Sequence, residues 1–275
     1  MREPLSVRAT TYALLALFVF MVAVPLFWMV TTALKSNKDL YEDFTYLPRR
    51  PTIEHFVRVI QREDLLTNIR NSLVVASTTT MITVLVSAFA AFSIVRYRYR
   101  GREWVGRLIL FKYLLPTAML FVPLYAIVVA LGLGNTLKAL MLTYLSFTVP
   151  FCTWMLMGYF RSIPPELEEH AMVDGCTKLG ALFRILLPLS APGIVASAIF
   201  SFTLAWNEFL LALVFTTDHT TMTIPIKLSM MMVGDQYIWG QLMAGAILAS
   251  VPIVFLYFLG QRFVVQGLAA GSVKG

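Results

Sequence analysis

The 275-residue chain is 58% apolar and only 13% charged, with a mean hydropathy of +0.74 and a formal net charge of +7. About a quarter of an ordinary globular chain is charged, so this composition argues against a water-soluble fold and makes the bilayer the natural solvent. In such a chain the basic excess reports topology rather than nucleic-acid binding, and two cysteines, Cys152 in an apolar run and Cys176 in a polar one, offer neither a disulfide framework nor a metal-ligand spacing.

Six apolar runs follow in order, at 12–34, 71–95, 108–137, 139–160, 185–217 and 236–261. Each is near or above the roughly 20 residues a span requires. In lipid each must be helical, because every backbone polar group needs an internal partner. The expected fold class is therefore an all-α integral membrane protein with six transmembrane helices. The first run is too long for the apolar stretch of a signal peptide and lacks a small-residue cleavage site. Pro116, Pro123, Pro150 and Pro252 lie inside runs, where neighbouring helices can resupply the freed carbonyls; they imply a packed and hinged bundle.

Lys and Arg in short loops set orientation. The loop after the second run, "RYRYRGREWVGR", contains Arg96, Arg98, Arg100, Arg102 and Arg107, which places it in the cytoplasm. Both termini and the loop before the fifth run are then cytoplasmic as well. Residues 35–70 hold seven basic residues but also six acids. Long loops carry less topogenic weight, so this one is read as extracytoplasmic.

The loop before the fifth run reads "ELEEHAMVDGCTKLGALFRILLPL". Leu167 and Ala171 share a helical face, and Leu179, Leu182, Phe183 and Leu186 repeat at i, i+3, i+4 and i+7. Gly175 divides the two pieces; Pro164 and Pro165 suit a helix start and Pro188 a stop or kink. A helix lying on headgroups favours Lys and Arg on its polar face. Glu166, Glu168, Glu169 and Asp174 would instead be repelled by anionic lipid, so an acidic two-helix projection suits a protein cleft better.

"EEHAMVDG" followed by "RILLPL" resembles the EAA loop of ABC-importer permeases, with Glu169, Ala171, Gly175, Ile185, Leu187 and Pro188 at the matching positions and His170 where the first Ala is usual. "VPLYAIVVALGLGNT" and "AWNEFLLAL" are similar to segments of the carbohydrate-importer branch, and "QRFVVQGLAAGSVKG" to the tail of its maltose-type, MalG-like second permease. The resemblance covers most of residues 71–275; residues 1–70 share the layout, a first helix and an extracytoplasmic loop. It implies the type I importer permease fold, with a coupling loop at about 161–189 and a cytoplasmic tail after Arg262. Glu168, Glu169, His170, Ala171, Asp174, Gly175, Leu179 and Phe183 would dock on an ATPase subunit. The implied partners are an ATPase dimer that binds Mg-ATP, a second homologous permease, an extracytoplasmic solute-binding protein and a sugar-type substrate, all at a bacterial plasma membrane. The chain itself would hold no cofactor, and nothing in it selects the sugar.

Candidates for the translocation path or gate are Asn207, Glu208, Tyr125, Tyr237 and Trp239. A carboxylate in a span costs roughly 2.5–3.5 kcal/mol on insertion scales, so Glu208 faces either a polar pathway or a partner helix that it locks. Lys112 lies near a span end and is expected to snorkel to the interface. Tyr237 and Trp239 fit either a sugar-stacking role or the interfacial aromatic belt. His55, His170 and His219 are scattered and make no metal set. No P-loop, H-E-x-x-H or nucleophile elbow occurs, so the chain is expected to be non-catalytic and to rely on a separate ATPase. A stand-alone secondary transporter or channel is the competing reading; it needs intramembrane coupling acids, for which Glu208 is the candidate.

Overall fold

The computed structural model describes residues 5–42, 45–233 and 236–272. Its elements run α1 (Leu5–Ala33), α2 (Asn37–Tyr41), α3 (Glu54–Gln61), α4 (Leu65–Arg96), α5 (Arg102–Leu114), a 3-10 turn at Thr117–Leu120, α6 (Phe121–Ala130), α7 (Leu137–Ser162), α8 (Glu166–Val173) and α9 (Lys178–Ala181). A π turn at Leu182–Leu186 leads into α10 (Leu187–Leu189), α11 (Ala191–Trp206), α12 (Leu210–Phe215) and α13 (Ile224–Met230). The two-residue strands β1 (Met232–Val233) and β2 (Gln236–Tyr237) pair antiparallel before α14 (Trp239–Ser272). The chain divides into two compact units, residues 1–66 with 227–251 and residues 67–226 with 252–275.

Among the described residues, four helical stretches are long and apolar enough to cross a membrane: Val7–Ala33, Leu65–Arg96, Leu137–Ser162 and Trp239–Phe263. Lys178–Leu189 and Ala191–Trp206, bent by 78°, make a fifth if taken as one broken span. Six transmembrane helices are expected; the third of the six runs does not form one continuous helix. There α5 stops at Leu114, Leu115 is extended (φ −74°, ψ 130°), and the chain restarts through the 3-10 turn into α6. Pro116 explains the break, since its ring disfavours helical backbone at the residue before it. In α7, by contrast, Pro150 is carried within a continuous helix.

In the larger unit, α4 and α7 pack through Ala88, Ala91, Phe92, Leu156, Met157 and Phe160, with Leu182 and Leu186 closing the cluster. Burying each large side chain here contributes about 1.5–3 kcal/mol. Small and hydroxyl residues let the helices approach and bond: Thr83 to Thr148 at 2.7 Å, Ser87 Oγ to the Val149 carbonyl at 3.2 Å, and the Cys152 thiol to the Ser197 carbonyl at 3.4 Å. Such bonds average about 0.6 kcal/mol between membrane helices. Gly193 of α11 sits so close to α7 that a Cβ would lie 2.4 Å from the Tyr159 ring.

Side-chain amides seat the connecting loops of this unit. Asn68 and Asn71 donate to the Met222 carbonyl at 3.1 and 3.0 Å, and Ser72 Oγ accepts from the Ile224 N–H at 2.8 Å. Asn135, left-handed at φ +56°, accepts on Oδ1 from the Thr217 and Asp218 N–H groups and the Thr221 hydroxyl, at 2.9, 3.1 and 2.8 Å. Asp218 in turn accepts from the Thr220 N–H and hydroxyl, which holds its carboxyl below the usual range. Asn135→Ala removes three acceptor bonds and strains the backbone, an expected loss of roughly 1–3 kcal/mol. Asn135→Gly relieves the strain alone and should recover only part. Hydrogen exchange of residues 216–221 reads both: faster exchange in the alanine variant is expected, and unchanged protection would contradict the lock.

In the smaller unit, Ser36 caps α2 by accepting from the Asp39 N–H at 3.2 Å. Buried Lys35 donates to the Thr45 carbonyl at 2.5 Å and lies 4.9 Å from the Trp28 ring centroid. His55, 1% exposed, places Nε2 3.0 Å from the Lys35 carbonyl and leaves no space for a side chain at Gly240, whose Cβ would fall 2.2 Å from that nitrogen. Burial lowers the His55 pKa below its ordinary 6.5; the Lys35 carbonyl and Glu54 oppose the shift, and Arg58 adds to it. The unfolded chain protonates this ring more readily than the folded one. Stability is therefore full above the ordinary value and falls as pH drops below it. Protection of α3 amides from hydrogen exchange should decline as pH is lowered from 7 to 5. His55→Gln should flatten that slope; a flat wild-type profile would refute it.

Candidate functional site

The segment 163–190 is assembled from short elements with defined joints. Pro165 stands at the N-cap of α8, and Glu166, Glu168 and Glu169 occupy its first turn, where the helix dipole favours acids. At its end the Gly175 N–H donates to the Met172 carbonyl at 3.1 Å and the Cys176 N–H to the Ala171 carbonyl at 2.9 Å. These are the paired bonds of a Schellman termination, with Gly175 at φ +89° in the left-handed position it demands. Thr177 then caps α9 by accepting from the Gly180 N–H at 3.0 Å. Sequence spacing had indicated a two-helix projection hinged at Gly175, and that is its form.

Beyond α9 the ladder widens: the Leu187 N–H donates to the Leu182 carbonyl, five residues back. Pro188 lacks a donor and its ring would crowd the carbonyl four residues earlier, so the wider turn accommodates it. The 78° bend into α11 falls at Ser190, a fully buried residue. The expected single stripe of Leu179, Leu182, Phe183 and Leu186 is corrected here. Leu182 and Leu186 are buried, whereas Leu179 and Phe183 are more than half exposed. Phe183 makes an edge contact with Phe89, at 6.0 Å between centroids.

Arg96, the last residue of α4, secures the near end. Its Nε donates to Glu168 Oε1 at 2.5 Å and its Nη2 to the Ile163 carbonyl at 2.8 Å, spanning the Pro164–Pro165 turn. Both side chains are nearly buried, at 13% and 10% exposure. Glu168 is thus an internal anchor. Glu169 and His170 face outward beside Leu167 and Val173, with Ala171 half-buried. Lys178 covers the Tyr97 ring at 4.9 Å. Sequence reasoning missed Arg96 as a positioning residue by counting it only as a topogenic charge. Its place directly after an uncharged span, with unpaired acids downstream, was the available signal.

Asn207 and Glu208 form a helix junction. Asn207 Nδ2 donates to the Thr203 carbonyl at 2.9 Å, at the end of α11. The Glu208 carboxylate accepts from the Leu211 and Ala212 N–H groups at 2.9 and 3.0 Å, satisfying the first turn of α12. The carboxylate answers to backbone amides at a break in the run, and it also faces the buried Tyr144 hydroxyl of α7, a contact between helices of the kind the partner-helix reading anticipates. Tyr125 of α6 stacks on Phe215 of α12 at 6.1 Å between centroids. All three residues lie in the larger unit, Asn207 and Glu208 just before the start of α12 and Tyr125 against its last residue. Trp239 belongs to the smaller unit, where its N–H donates to Tyr41 Oη at 3.2 Å. It borders a cavity of about 270 Å³ with Trp28, Lys35 and Asp39. The Tyr237 side chain lies outside the described residues.

Comparison with known proteins places this architecture. The chain is 39% identical over 268 residues to the probable ABC transporter permease protein YurM of Bacillus subtilis, covering 98% of this chain and 89% of the relative. It is 34% identical to the trehalose/maltose transport system permease protein MalG of Thermococcus litoralis, covering 98% and 96%. Among solved structures, a bacterial ABC transporter involved in import of the acidic polysaccharide alginate superposes with a TM-score of 0.82 at 18% identity, covering 96% of this chain and 99% of that one. Residues 83–270 match the binding-protein-dependent transport system inner membrane component, and the chain belongs to that family.

Proposed function

We propose that the chain is the transmembrane permease subunit of an ATP-driven importer for a sugar or sugar derivative. A solute-binding protein delivers the substrate, a second permease completes the path, and a partner ATPase dimer binds and hydrolyses Mg-ATP. In this reading the chain makes six passes, the third and fifth interrupted at Pro116 and around Ser190 and Asn207, and both termini and the 163–190 segment face the cytoplasm. The observation that carries the proposal is the form of that segment: two short helices on a Schellman joint, anchored by Arg96, with Leu167, Val173 and Leu179 left exposed. Exposed apolar side chains among acids suit a protein cleft. Closure of the ATPase pair would move α8 and α9, and the helix continuing through Pro188 would carry the motion to α11 and switch access. Glu208, the acid on which a secondary transporter would depend, holds the α12 amides instead.

Affinity purification of the tagged chain from its host in mild detergent tests this reading. Co-purification of an ATPase, a homologous permease and a binding protein is the expected result. Recovery of the folded chain alone would favour a stand-alone transporter.

A further inference from the structure

A second feature of the larger unit is unused by this mechanism. Where α4 and α7 end and α5 begins, a cleft of about 400 Å³ opens between them. Leu110, Met157 and Ile94 make its apolar wall, and Arg102, Arg107 and Arg161 also line it, the Arg107 guanidinium resting 5.6 Å from the centre of the exposed Trp104 ring. Trp154, half-exposed on α7, completes the lining. The charge is poorly balanced. Glu103 is the acid of the lining; it lies 3.9 Å from Arg107, and both side chains are at least 70% exposed. Arg102 donates to the Tyr97 carbonyl at 3.3 Å, while the Arg161 side chain makes no hydrogen bond or ion pair among the described residues.

We propose that this cleft binds an anionic phospholipid, its phosphate held by Arg102, Arg107 and Arg161 and an acyl chain laid along Leu110 and Met157. Two chemistries meet in one site: guanidinium groups that match a phosphate in fork geometry, and an apolar wall continuous with two membrane-spanning helices. Basic pockets between transmembrane helices hold headgroups in this manner. Trp154 suits the same depth, because its ring favours the boundary between acyl chains and headgroups. Charge complementarity selects phosphatidylglycerol over phosphatidylcholine, whose choline group the arginines would repel. The proposal rests on α4 and α7 spanning the membrane; it is independent of which solute is carried.

Native mass spectrometry of the detergent-solubilised protein, with whatever subunits accompany it, tests the site. The probes are phosphatidylglycerol, phosphatidylcholine and glycerol phosphate. Wild type is expected to retain phosphatidylglycerol preferentially. Arg107→Ala/Arg161→Ala should weaken retention by about fivefold per guanidinium, on the order of 25-fold together. Both positions lie outside the packed core, and Arg107→Lys/Arg161→Lys, which keeps the charge, should restore most of the preference. Equal retention of both lipids by wild type, or unchanged preference in the alanine variant, would overturn the proposal. Retention of glycerol phosphate as tight as that of the lipid would assign the cleft to a soluble anion and overturn it equally. Subunit composition, read in the same spectra, reports on the importer reading separately from the lipid count.

Discussion

Arg96→Ala is expected to lower stability by about 3–5 kcal/mol, the usual effect of removing one partner from a nearly buried ion pair. The loss would come less from the attraction itself than from what remains. The Glu168 carboxyl would be left at 10% exposure without the guanidinium that answers it, and the Ile163 carbonyl would lose its donor. Because these bonds fix α8 against the end of α4, coupling should weaken along with stability. A thermal melt of the purified complex measures the first effect. The double variant Arg96→Met/Glu168→Leu, which removes both charges, should recover much of the single-mutant loss. A single-mutant loss below about 1 kcal/mol would mean that water reaches the pair and that it does not position α8.

Gly175→Val should act on function more than on assembly. No heavy atom lies within 4 Å of a Cβ built there, so the substitution meets no clash; the strain is entirely in the backbone at φ +89°. Left-handed backbone disfavours an L side chain by about 1–2 kcal/mol, more for a β-branched one. Rearranging the joint to relieve that strain would re-aim α8 relative to α9. Transport in proteoliposomes is expected to fall at least about tenfold, the equivalent of 1.4 kcal/mol, while ATP hydrolysis continues. Gly175→Asn should be milder, since Asn tolerates this conformation. Gly158→Ala, also in open space but on ordinary helical backbone, is the control and should transport normally. Full transport by the valine variant would show that the joint is not part of coupling.

The elements that sequence exposed were those governed by local chemistry. A glycine between two amphipathic pieces and a proline ahead of a span marked the joints at 175 and 188 because backbone conformation there is a property of the residue itself. Hydropathy likewise located the long helices, since lipid exposure demands an apolar residue at nearly every position. The break at Leu115 escaped because Pro116 was read as a tolerated irregularity, as Pro150 is; which outcome prevails depends on neighbours that resupply backbone partners. Glu208 was legible as costly, but hydropathy could not distinguish a gate from a helix cap. The exposure of Leu179 and Phe183 was hidden because 179/183 and 182/186 form the two edges of one helical stripe, and an i, i+3, i+4 pattern does not say which edge meets the core. Asn135 and Thr221 are 86 residues apart, and no periodicity reports such a bond.

The central claim is that the α8–α9 projection is where an ATPase subunit docks. Val173, at the end of α8, is 86% exposed and bonds to nothing that a substitution would disturb through its side chain. A photo-crosslinking residue at position 173, activated in the intact purified complex, tests docking most directly. Crosslinking to an ATPase subunit, strengthened or weakened by ATP, is the expected result. Crosslinking to lipid alone, in a complex that retains its ATPase, would contradict docking and return the segment to the membrane surface.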